Sequence, residues 1–156
     1  MSGRSLWVFL AYRLPREPST PRITVWRKLK RLGVAQLLDG LVALPLDARN
    51  REQLEWIADE IVEAKGAATI WKTQATTARQ EKDIVAEMQS AIAAEYARVI
   101  EDAATAASSS PAARRRSLAR LRAELRRIRQ RDYFPPPERD EARGAVEELA
   151  ALVAPT

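Results

Sequence analysis

The 156 residues include no cysteine and no histidine, and 46% of them are apolar. A chain of this length can bury a real core, while the missing residue types exclude Ser-His-Asp triads, cysteine nucleophiles, zinc fingers, histidine-ligated haem and disulfide frameworks. The 26 Lys and Arg outweigh the 21 Asp and Glu, but the signs are segregated: net +7 over residues 1–33, −6 over 34–106, +8 over 107–131 and −4 over 132–156.

Leu6 to Tyr12 is a continuous apolar, aromatic and β-branched run, the pattern of a buried strand. Ser19-Thr20-Pro21 then caps a helix. Val25/Trp26, Leu29 and Leu32 form its apolar stripe, and Gly33 is its stop. Val34 to Leu38 and Leu41 to Leu44 flank Asp39-Gly40, a hairpin signal. A second helix is expected from Asn50, with Gln53 as in a capping box and Gly66 as the stop. Leu54, Ile57, Ile61 and Ala64 face inward there, while Glu52, Glu55, Asp59, Glu60 and Glu63 face water. Ala68 to Trp71 reads as a fourth strand. The order βαββαβ predicts a ferredoxin-like antiparallel sheet with two helices on one face.

Residues 77–106 carry Ile84, Met88, Ile92, Tyr96 and Val99 at helical spacing, enough for a helix of roughly 45 Å. Ser108 to Pro111 breaks it. Leu118, Leu121, Leu125 and Ile128 form the seam of a strongly basic helix, expected to fold back as an antiparallel hairpin. Pro135-Pro136-Pro137 ends that helix, and a short acidic helix with Ala142, Val146 and Leu149 follows. The fold expected is therefore α+β: a ferredoxin-like unit over 1–75 and helices over 76–156, packed as one compact domain. The apolar run Leu6 to Leu10 is too short for a secretory core, and no 18-residue apolar run occurs. A cytoplasmic protein without a membrane partner is expected.

Two basic helices are candidate binding surfaces. Arg27, Lys28, Lys30 and Arg31 sit on neighbouring turns of the first helix, where cations also suit the helix dipole. Arg114, Arg115, Arg116, Arg120, Arg122, Arg126, Arg127, Arg129 and Arg131 crowd the later helix, with Glu124 the one acid among them. Guanidinium groups grip phosphate bidentately and reach guanine edges. The competing use is pairing with the acidic helix 77–106, but its Glu81, Asp83, Glu87, Glu95, Glu101 and Asp102 supply at most six partners for nine arginines. A cationic surplus is expected. Trp7, Trp26, Trp56 and Trp71 read as core residues rather than stacking platforms. No paired acid and base, Gly-rich phosphate loop, catalytic residue, metal site or cofactor motif stands out. Small CRISPR-associated nucleases of ferredoxin-like fold use an Asp at the end of the first strand. Here that position reads Tyr12-Arg13-Leu14-Pro15.

The segment LWVFLAYRLPREPSTPRITVWRKLKRLGVAQLLDGLVALP resembles the opening of the ChrB family of chromate-resistance regulators. The likeness rests on Trp7, Leu14-Pro15, Ser19, Arg22, Val25-Trp26-Arg27, Leu29, Gly33, Asp39-Gly40 and Leu44-Pro45. RRIRQRDYFPPP, Arg126 to Pro137, resembles the close of the same N-terminal domain. The resemblance implies a bacterial regulator that binds promoter DNA and responds to chromate, acting as a homodimer or with a ChrB C-terminal-like protein. Arg22 and Arg27 are the oxyanion candidates it suggests. An interaction module that never touches DNA is the alternative, with a divergent nuclease behind it. The family's usual C-terminal domain lies outside these residues, so nothing that it does is carried over.

Overall fold

The computed structural model describes residues 5–153. Its elements are β1 (Leu6–Arg13), α1 (Thr20–Leu32), β2 (Ala35–Leu38), β3 (Leu41–Pro45), α2 (Ala48–Glu63), β4 (Ala67–Gln74), α3 (Ala78–Ala107), α4 (Pro111–Gln130) and α5 (Glu138–Val153). Two compact units meet within α3, the first ending at Met88 and the second starting at Gln89.

In the first unit the strands lie in the order β2-β3-β1-β4. Every neighbouring pair is antiparallel, as the ferredoxin-like order requires. The central strands β1 and β3 bury Trp7, Val8, Leu10, Val42, Ala43 and Leu44, which is why their sequences read as unbroken apolar runs. Tyr12 donates its backbone N–H to the Gly40 carbonyl (2.8 Å), and a Cβ on Gly40 would lie 2.4 Å from the Tyr12 oxygen. With φ +77, this turn position belongs to glycine on both counts.

Two local expectations change, and α3 adds a helix on the second face of the sheet. Helix α2 starts earlier than Asn50: Asp47 is the cap, its carboxylate accepting the Asn50 N–H at 2.7 Å. Asn50 is buried in the first turn and donates its side-chain amide to the Pro45 carbonyl (2.9 Å). At the other end Lys65, not glycine, takes the left-handed conformation (φ 69). Gly66 answers a different need, because a Cβ there would sit 2.3 Å from the Arg13 carbonyl oxygen. Helices also occupy both faces of the sheet. Val8 lines a cavity with Leu46 and Ala48 at the start of α2. Trp7, its neighbour on the opposite face, donates its indole N–H to Glu81 of α3 (2.9 Å).

The four tryptophans are likewise not all core. Trp7 is 2% exposed and Trp26 half-buried, but Trp56 and Trp71 are 55% and 58% exposed. Trp71 projects from β4, which lies at the sheet edge, and its indole N–H is held by Thr69 (2.8 Å).

The second unit is built from three helices. Ile92, Tyr96, Val99 and Ala103 of α3 meet Leu118, Leu121 and Ile128 of α4 and Ala142, Val146 and Leu149 of α5 in one buried cluster. The ion pairs Glu95–Arg131 and Asp102–Arg120 run in opposite senses along α3 and α4, so the expected antiparallel hairpin is present. Ser110 caps α4, accepting from the Ala113 N–H (3.3 Å), and Pro111 occupies its first turn.

Candidate functional site

Helix α1 keeps most of its expected cationic face. Arg27, Lys30 and Arg31 are exposed. Lys28 is not a spare charge, because its ammonium pairs with Glu60 of α2. Glu60, read from sequence as water-facing, is only half-exposed for that reason. Arg22 belongs to a different place: it lines a cavity of about 550 Å³ with Tyr12, Arg13, Ser19, Trp26 and Asp39. Burial pushes the Tyr12 hydroxyl above its ordinary pKa, with the Arg22 guanidinium opposing and Asp39 adding to that shift. Arg27 is not part of that lining and stands five residues further along α1, well around the helix from Arg22.

Helix α4 sorts its arginines by flank. Leu118, Leu121 and Ile128 fix which side is buried. On one flank Arg116, Arg120, Arg127 and Arg131 follow at helical spacing, and here the carboxylates are found. Arg120 Nη1 lies 3.5 Å from Asp102 Oδ2, Arg131 Nη1 2.5 Å from Glu95 Oε2, and Arg127 Nη2 2.6 Å from Glu124 Oε2. Arg114, half-buried near the start of the helix, donates Nε–H to the Ser109 carbonyl (3.0 Å). On the other flank Arg115, Arg122, Arg126 and Arg129 recur at intervals of seven, four and three residues, all exposed. Among the described residues no carboxylate lies within ion-pair distance of these four. The surplus expected from the charge count is real, and most of it is gathered on one face, with Arg116 exposed on the other.

That face borders α5. Arg122, Arg126 and Arg129 line a cavity of about 200 Å³ with Arg139 and Arg143 of α5, over Tyr96 and Leu125. Asp140 also lines it, 3.6 Å from Arg143 in an exposed pair. Tyr96 forms part of the cavity and donates its hydroxyl to Asp132 (2.7 Å). Burial first, then that bond and the Asp132 charge, raise the Tyr96 pKa, while Arg139 and Arg129 oppose the rise. Arg139 and Arg143 were not singled out from sequence. Their signal was an i, i+4 pair of arginines on an otherwise acidic helix, which reads as ordinary charge balance until α5 is seen beside α4.

A ferredoxin-like α+β unit joined to an arginine-lined three-helix unit is the class of protein these features define. The family model described as "Protein ChrB, N-terminal" matches residues 22–108, and this chain belongs to that family. Protein ChrB of Cupriavidus metallidurans is 30% identical over 136 residues, covering 86% of this chain and 42% of the relative. The chain thus spans about two-fifths of that relative's length. No solved structure matches. The resemblance of residues 6–45 and 126–137 agrees with the family found.

Proposed function

We propose that this chain is a ChrB-type regulatory protein of chromate resistance that binds promoter DNA through its basic helices. The observation that carries the proposal is the outer flank of α4, where Arg115, Arg122, Arg126 and Arg129 stand exposed without carboxylate partners among the described residues. An arginine beside a carboxylate presents a partly neutralised charge, even where the pair is exposed and weak. Exposed and aligned ones attract a phosphate backbone and release its counterions. Arg27, Lys30 and Arg31 of α1 form a second cationic patch of the same kind. Family membership supplies the chromate-resistance setting.

Binding of a promoter fragment, followed by fluorescence anisotropy as salt is raised, tests this reading. Four to seven phosphate contacts correspond to a slope of log affinity against log salt of about −4 to −6. Absent binding, or a slope near zero, defeats it. Loss of DNA binding together with co-purification of a ChrB C-terminal-like chain would favour the interaction module instead.

A further inference from the structure

We propose that the cleft between α4 and α5 is a binding site for a tetrahedral oxyanion group, a phosphate-like dianion either free or carried on a polymer backbone. The proposal rests on reading the outer α4 arginines as anion ligands, and it adds α5 to them. Five guanidinium groups, Arg122, Arg126, Arg129, Arg139 and Arg143, surround one cavity. Against them stand Asp140, in a long exposed contact with Arg143, and Asp132, whose Oδ2 is already engaged by Tyr96. Positive charge therefore exceeds negative charge at the cleft, and the arginines repel one another until an anion enters.

Size and shape narrow the ligand. A liquid water occupies about 30 Å³, so about 200 Å³ suits a group of a few heavy atoms rather than a whole nucleotide. A planar guanidinium offers two parallel N–H donors to two oxygens of a tetrahedral anion. Arginines arriving from two helices can grip different edges of one such group. Tyr96 and Leu125 line the same cavity, and the Tyr96 hydroxyl is held by Asp132.

Calorimetric titration of the intact chain with inorganic phosphate, and separately with a short oligothymidylate, in a low-salt chloride buffer tests the site. Phosphate is expected to bind saturably, and Arg126→Ala/Arg139→Ala to weaken it at least about tenfold. Arg79→Ala/Arg98→Ala removes the same charge elsewhere and is expected to leave it unchanged. Should the alanine pair melt below wild type, Arg126→Lys/Arg139→Lys keeps the charge and removes the fork; severalfold weaker binding is then expected. Oligothymidylate binding lost in the alanine pair, without phosphate binding, would assign the group to a polymer. No saturable binding of either probe, or equal weakening in both double variants, overturns the proposal. Promoter binding measured in parallel separates the two readings: phosphate binding without promoter binding removes DNA as the carrier and leaves the site standing.

Discussion

The two flanks of α4 carry the same residue type on the same helix, yet they meet different fates. On one flank Arg120 and Arg131 reach acids of α3, and Arg127 reaches Glu124. On the other, Arg122, Arg126 and Arg129 meet two more arginines across a cleft. For Arg120 and Arg131 the difference lies in the neighbouring helix: α3 offers Glu95 and Asp102, whereas α5 brings Arg139 and Arg143, together with Asp140, to the cavity. A charge count locates a surplus only after the partner of each flank is known.

The largest expected effect comes from removing the packing that orients α4. Leu121 is fully buried in the helical cluster, so Leu121→Ala should cost about 2–5 kcal/mol. The loss should appear in the denaturant-induced unfolding of the helical unit, followed by far-ultraviolet circular dichroism. With α4 no longer held, the distinction between its flanks should fade. A loss below about 1 kcal/mol would mean that Leu121 does not set the orientation of the helix.

A smaller effect is expected at the cleft floor. Tyr96→Phe leaves the Asp132 carboxylate without its donor and should cost about 1–3 kcal/mol. The same hydroxyl has a raised pKa in the folded chain, so its stabilising contribution is complete below the ordinary tyrosine value of 10.0 and is lost as pH rises beyond it. Melting temperature should therefore fall as pH climbs past that value, with a shallower fall in Tyr96→Phe. Tyr12 shows the same direction of shift in the first unit, so Tyr12→Phe should remove a separate share of the decline. An unchanged pH profile in both variants would contradict this assignment.

Much of the fold was legible because burial leaves periodicity behind. Trp7, Val8 and Leu10 of the first run, the Asp39-Gly40 turn and the seam Leu118, Leu121 and Ile128 bury or turn as their spacing implies, although Leu6 at the start of the run is exposed. Misreadings arose where one residue had two possible reasons to be present. Gly66 resembled a helix stop, but its requirement is the close approach of the Arg13 carbonyl, and Lys65 makes the left-handed turn. Trp56 and Trp71 are large and apolar yet exposed, since size does not reveal which side of an element faces the core. The site was half legible. Arg122, Arg126 and Arg129 announced themselves by number, whereas Arg139 and Arg143 gain meaning only from the packing of α5 beside α4.

The central claim, that the outer flank of α4 is the contact surface while Arg120, Arg127 and Arg131 of the other flank stand beside carboxylates, is tested most directly by one paired salt titration on promoter DNA. Arg122→Ala/Arg126→Ala/Arg129→Ala should reduce affinity about 100-fold or more at low salt and make the salt slope shallower by about 2 to 3. Arg116→Ala/Arg120→Ala/Arg127→Ala, the same loss of charge from the other flank, should reduce affinity by less than about tenfold. Equal losses from the two triple variants, with unchanged salt slopes, would contradict the account.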